Sequence, residues 1–163
     1  SNYSAAELTA AQNAAKRGNS AAFVSCQDQY SLLERGIERE LLPSMESHGL
    51  GLLPYYPLAN GLLTGKYHRN ATPPEGARLS RGGSRASEVT SEHNWKLMER
   101  LNEIAARTGH SMLELAFGWL LAKPIVTSVI AGATRPEQIE QNVVAAARRP
   151  SPAVIAEIDT ITR

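Results

Sequence analysis

Residues 52–67 read LLPYYPLANGLLTGKY. The apolar run from Leu50 to Leu53 meets Pro54 and Pro57. Proline removes a ladder donor and fixes φ, so a strand running through this stretch must stop there. Tyr55 and Tyr56 stand at the stop. Behind them Gly61 and Gly65 let backbone come close to something bulky, and Lys66 supplies a cation. A strand end, an aromatic plate, glycines and a lysine together describe a seat for a flat, phosphorylated ligand. The plainer account of the same residues is a strand followed by a turn-rich loop.

With 163 residues, 42% of them hydrophobic, the chain is long enough for one domain with a core of its own. Its 17 basic and 16 acidic residues nearly cancel, which leaves no electrostatic footprint for nucleic acid or an anionic membrane. The single cysteine, Cys26, excludes an internal disulfide and fits a reducing compartment, so a cytoplasmic location is expected. No apolar run approaches the roughly 18–20 residues of a spanning helix, and Ser1-Asn2-Tyr3 is polar where a signal peptide would be apolar.

Taken in order, the chain alternates helices with short apolar runs. Ser4-Ala5-Ala6-Glu7 has the form of a capping box and predicts a helix from Ala5 to about Arg17, ended by Gly18-Asn19. Residues 21–27 (AAFVSCQ) read as a buried parallel strand. Ile37, Leu41 and Met45 predict a helix over 37–47, with a kink or a late start at Pro43, and residues 50–55 form the next strand. From His68 to Ser91 the prolines, glycines, serines and threonines predict one long loop. It carries Arg69, Arg78, Arg81 and Arg85, either as a solvated basic loop or as a lid over phosphates. An amphipathic helix follows over 92–107, with Leu97, Leu101 and Ile104 on one face. Ser111-Met112-Leu113-Glu114 opens a helix apolar nearly all round, which must be buried. Residues 126–131 read as a strand, Thr134-Arg135-Pro136-Glu137 as a third capping box opening a helix to about Ala147, and Ser151-Pro152 as the start of a last helix to Thr162. This alternation argues a parallel α/β sheet.

The C-terminal strand ends then fall at Ser1-Asn2, Gln27, Tyr55 and Gly132-Ala133-Thr134. Amide and hydroxyl side chains both donate and accept, as a carboxamide requires, and a tyrosine ring stacks on a flat heterocycle. A helix start at Thr134 offers free N–H groups and a partial positive charge to a phosphate, with Arg135 beside it and Gln138 one turn in. Arg135 tilts that reading toward a 2′-phosphate. Helix capping by Thr134 and Glu137 is the structural account of the same residues.

The stretch at 52–67 resembles the cofactor-clasping segment of the aldo/keto reductases, written AYSPLAxGLLTGKY. Ser1-Asn2 is similar to the end of that family's GxSN motif, residues 27–35 (QDQYSLLER) to its QxxYSLLxR segment, and residues 130–142 (IAGATRPEQIEQN) to its closing IxGxxxxxQxxxN motif. The resemblance implies a (β/α)8 TIM barrel. A complete one takes about 250 residues, so residues 1–163 are expected to be its C-terminal half, a single domain with a loop insertion at 68–91. It also implies roles. Ser1, Asn2 and Gln27 would hold a nicotinamide carboxamide, with Tyr55 stacked on the ring. Tyr56, Pro57, Leu58, Ala59, Gly61 and Lys66 would line the pyrophosphate, with Arg78 reaching it from the loop. Gly132, Thr134, Arg135, Gln138, Gln141 and Asn142 would hold the adenosine 2′-phosphate and adenine of NADP(H). Tyr56 stands where the family often has serine, and Gln141 where glutamate is common.

The family reduces carbonyl substrates with an Asp/Tyr/Lys/His tetrad from the first half of the barrel, and without metal. None of His48, His68, His93 and His110 lies in a matching motif, and Tyr30 and Tyr67 belong to other motifs. The resemblance therefore places no catalytic residue in this chain and makes the missing N-terminal half its partner; alone, the chain would be inactive. Three readings stand at this point: part of an NADP(H)-dependent reductase, a non-catalytic NADP(H)-binding subunit resembling potassium-channel β subunits, or an inactive truncated fragment.

Overall fold

The computed structural model describes residues 1–81 and 84–163, and the side chains of all of these except 81, 84 and 85. The chain opens on α1 (Ala5–Arg17), whose capping box is complete: Ser4 accepts from the Glu7 N–H, and the Glu7 carboxylate takes the Ser4 N–H. The following strand, β1, spans Ser25–Gln29, four residues later than the start expected at Ala21. Gln12 explains the delay. Its side-chain amide both donates to the Phe23 carbonyl and accepts from the Phe23 N–H, each at 3.1 Å. Phe23 thus has an amide partner on α1 instead of one in a sheet.

A 3-10 turn at Gly36–Glu38 leads into α2, Leu41–Ser47. The late start follows from Pro43, which falls in the first turn, where a missing N–H breaks no intrahelical bond. Next comes β2, Gly51–Tyr55, paired in parallel with β1 from Ser25↔Gly51 to Gln29↔Tyr55.

Residues 68–91 are only partly the loop expected of them. They hold a 3-10 turn at Arg78–Arg81 and a short helix, α3, Ser84–Val89. Gly82 and Gly83 lie outside the described residues, as do the side chains of Arg81 and Arg85. Arg69 is tied down on α4 (Glu92–Thr108), where it pairs with Glu92 and, at 3.3 Å, with Glu99. Leu97, Leu101 and Ile104 of α4 are buried as their spacing predicts.

The apolar helix is α5, Met112–Leu121. Leu115, Trp119 and Leu120 have no exposed surface, and burying such side chains stabilises the fold by about 1.5–3 kcal/mol each. Its one buried charge, Glu114, completes the capping box with Ser111 and also meets His110 Nδ1 and Arg148, both at 3.1 Å. Burial works against the ionised carboxyl, but the Ser111 N–H, His110 and Arg148 outweigh it and hold its pKa below the ordinary value.

No third strand forms over 126–131. That segment touches β2 through two isolated parallel bridges, Leu52↔Val126 and Tyr55↔Ile130. Leu52 exchanges both its bonds, donating to the Ile125 carbonyl at 2.7 Å and accepting from the Thr127 N–H at 3.0 Å. Two residues on, Pro54 has no N–H to donate, so the ladder breaks. It resumes where Ile130 donates to the Pro54 carbonyl at 2.9 Å. Three steps on β2 match four on the partner, which is the spacing of a bulge.

Then α6 spans Pro136–Ala147 and α7 spans Pro152–Ile161. The capping box expected at Thr134 does not form. Pro136, favoured at the first helical position, makes Arg135 the N-cap, and Arg135 makes no side-chain cap bond. Gln138 reaches back in its place, its Oε1 accepting from the Thr134 N–H at 2.7 Å and from the Thr134 hydroxyl at 3.2 Å.

The result is a mixed α/β chain, mostly helical, with a small parallel sheet. Cys26 and Asp28 of β1 and Leu52 and Pro54 of β2 are buried, whereas Ser25 and Gln27 face outward. Helices cover one face of the sheet and leave the other open. Phe23 and Val24 near the sheet, and Ile139 and Val143 one turn apart on α6, are exposed apolar side chains. Among the described residues no helix is long and apolar enough to cross a membrane.

Candidate functional site

Four chain segments end at the same edge of the sheet. The first is Ser1-Asn2, held to the end of β1: the Ser1 hydroxyl donates to the Gln27 carbonyl at 2.7 Å, and the Asn2 N–H reaches the same oxygen at 3.3 Å. From the end of β2 the Tyr55 hydroxyl donates to Asn2 Oδ1 at 2.7 Å. Ile130 bridges to Tyr55 from the fourth segment. Ser1, Asn2, Gln27 and Tyr55 therefore stand together. Among the described residues no hydrogen bond uses the Asn2 amide N–H groups, and Gln27 is exposed.

Beyond Tyr55 the backbone turns sharply. Tyr56, Ala59 and Asn60 all have left-handed φ, at 51°, 46° and 56°, with Gly61 at 95° and Gly65 at 79°. Such φ values are uncommon for residues with a Cβ and cluster where a chain clamps a ligand. The turn uses its own donors: the Ala59 N–H bonds the Tyr56 carbonyl at 3.0 Å and the Gly61 N–H bonds the Leu58 carbonyl at 2.8 Å. Pro57 and Ala59 are buried and Leu58 half-buried, so they shape the wall and carry no charge to it.

The charge comes from Lys66 and Arg78. The Lys66 ammonium stands against Gly61, 3.4 Å from where a Cβ would be, and it is the φ of 95° that calls for glycine here. The Arg78 guanidinium sits 6.0 Å from the centre of the Tyr56 ring. It is also the nearest group to Gly132, 3.9 Å from where a Cβ there would stand. Three segments distant in sequence thus meet at Tyr56, Arg78 and Gly132. Of Arg69 and Arg78, the two arginines in residues 68–91 whose side chains are described, Arg78 is the one at this site. Thr134 and Gln138 bind each other, while Arg135 and Gln141 are exposed and Asn142 is half-buried. No hydrogen bond among the described residues draws these last three to the rest of the site.

Two residues here escaped the sequence reading. Asp28, next to Gln27, is 5% exposed; burial pushes its carboxyl above the ordinary value, against the pull of the Asn2 N–H. With Asn2, Gln29 and Tyr55 it lines an open cavity of ≈ 580 Å³. Tyr67, assigned only to its motif, is buried and hydrogen-bonded to Leu79 N–H. The alternation in β1 could have revealed Asp28, since it shares the buried face with Cys26. Nothing local in the sequence points from Tyr67 to Leu79. Among the described residues no group of three or more His, Cys, Asp or Glu could hold a metal ion.

Amides and an aromatic ring thus stand at one end of this strand edge, with cations and glycines at the other. The chain belongs to the aldo/keto reductase family, which it matches over residues 1–163. It is 41% identical over 122 residues to the L-glyceraldehyde 3-phosphate reductase of Escherichia coli O157:H7, covering 72% of this chain and 35% of that protein. It is 38% identical over 168 residues to a putative voltage-gated potassium channel subunit beta of Schizosaccharomyces pombe, covering 99% of this chain and 48% of that protein. Against the NADH-specific methylglyoxal reductase of Escherichia coli K12 it is 36% identical over 124 residues, covering 73% and 36%. The chain spans about half the length, or less, of these relatives. Its family fold is a TIM barrel, present here in part.

Proposed function

We propose that the complete protein is an NADP(H)-dependent reductase of aldehydes or ketones, and that this chain supplies most of its cofactor site. The observation that carries the reading is the meeting of Asn2, Gln27 and Tyr55 with Tyr56, Arg78 and Gly132 at one edge of the sheet. When bound, the cofactor supplies a hydride. The chain's own residues would do the holding: Ser1, Asn2 and Gln27 at the carboxamide, Tyr55 against the ring, Tyr56 to Gly61 with Lys66 and Arg78 at the pyrophosphate. Gly132, Thr134, Arg135, Gln138, Gln141 and Asn142 would take the adenosine end. Arg135, a cation at the start of α6, supports a 2′-phosphate and so NADP(H) over NAD(H). Because one relative is named for NADH, that preference is a point to measure.

On this reading residues 1–163 are the C-terminal half of one barrel domain. The N-terminal half would supply the Asp/Tyr/Lys/His tetrad and cover the open sheet face, with Phe23 and Val24 at its margin. The chain alone would be inactive. A second reading, a non-catalytic NADP(H)-binding subunit, is favoured by the match to the potassium-channel relative over 99% of the chain.

The test is turnover. The complete protein, given NADPH and a panel of aldehydes and ketones, is expected to consume NADPH with at least one of them. NADPH binding without turnover on any member would favour the second reading, and absence of both would defeat the proposal.

A further inference from the structure

Resting on the dinucleotide reading above, we propose that Tyr67 is a positioning residue that couples the glycine turn to the arginine turn and so sets where Arg78 stands. Tyr67 is 6% exposed. Its ring lies beneath the phosphate side of the site: Cε2 is 3.5 Å from where a Cβ on Gly61 would be, and the Lys66 ammonium is 5.2 Å from the ring centre. Its hydroxyl accepts from the Leu79 N–H at 3.3 Å. Leu79 follows Arg78 directly, and its side chain is 7% exposed.

The other hydrogen bonds described for residues 77–80 close within the turn. The Ala77 N–H bonds Pro74 at 3.0 Å, the Ser80 N–H bonds Ala77 at 3.0 Å, and the Ser80 hydroxyl bonds Ala77 at 2.6 Å. Among the described residues, the bond to the Tyr67 hydroxyl is the one that ties this turn to the body of the chain. Without it the Leu79 N–H is left unsatisfied in a buried place, and the turn must lift to water to recover a partner. Lifting Leu79 displaces Arg78 from Tyr56 and Gly132. One side chain thus fixes both cations: its ring backs Lys66 and its hydroxyl places Arg78.

Tyr67→Phe keeps the ring and removes only the acceptor. In the complete protein this variant is expected to weaken NADPH about 3- to 10-fold, the range of one net hydrogen bond. Because the effect runs through Arg78, adding Tyr67→Phe to Arg78→Ala is expected to change affinity less than twofold further. Without cofactor, trypsin is expected to cut within residues 68–91 faster in the variant, since the turn is less well held. Wild-type affinity in Tyr67→Phe, losses that multiply in the double variant, or an unchanged cleavage rate would each overturn the coupling. A wild-type protein that binds no nicotinamide dinucleotide would defeat the functional reading instead, and the trypsin comparison would still decide the tether.

Discussion

Replacing Trp119 with alanine is expected to lower stability by about 3–5 kcal/mol, the range for truncating a large buried aromatic. Trp119 has no exposed surface and stands at the centre of a cluster joining two distant parts of the chain. The Tyr30 ring packs on it at 5.0 Å between centroids. The Arg35 guanidinium and the Lys123 ammonium lie 5.0 and 4.7 Å from its ring. Its Nε1–H donates to Asp159 Oδ1 at 2.8 Å, and Asp159 also pairs with Lys123 at 2.9 Å and Arg35 at 3.1 Å.

The indole packs against both cations and bonds the carboxylate they share, so truncation removes ring contacts and a hydrogen bond from a half-buried ion network. Both consequences act in the same direction. Urea unfolding should show a lower midpoint with an unchanged slope. A loss under about 1 kcal/mol would mean that the site collapses around the deletion and the cluster contributes little.

Arg78→Ala is expected to weaken NADPH about 10- to 100-fold in the complete protein, the range for a hydrogen bond to a charged partner. Arg78 is exposed and its described partner is the face of the Tyr56 ring, so its removal should leave the fold largely undisturbed. Titration at two salt concentrations separates the two parts of the effect. The wild-type affinity should fall with salt more steeply than that of the variant, since one phosphate contact is gone. Equal affinities at low salt would remove Arg78 from the site.

Much of the architecture was legible because local chemistry decides it. Ser4 and Glu7, and again Ser111 and Glu114, form the boxes their spacing announces, and β2 ends at Tyr55 as read. What could not be read depends on partners remote in sequence. Phe23 looks like a strand residue, yet Gln12 takes both its backbone groups. Thr134 looks like a cap, yet Pro136 moves the helix start past it. Arg69 looks like part of a basic lid, yet Glu92 and Glu99 hold it on α4.

The site divides the same way. Ser1, Asn2, Gln27 and Tyr55 were readable as strand ends, and Lys66 and Gly61 as neighbours in one turn. The approach of Arg78 to Gly132 spans more than fifty residues and appears only in the folded chain. The left-handed φ of Tyr56 and Ala59 could not be foreseen either, since neither residue favours it.

Hydrogen–deuterium exchange of the complete protein with and without NADPH tests the central claim most directly, because it reports where the ligand sits. Slower exchange on NADPH addition is predicted for backbone amides around Gln27, over 55–61, at 78–80 and over 132–138. Binding with no protection in these segments would contradict the assignment of the cofactor site to this edge of the sheet.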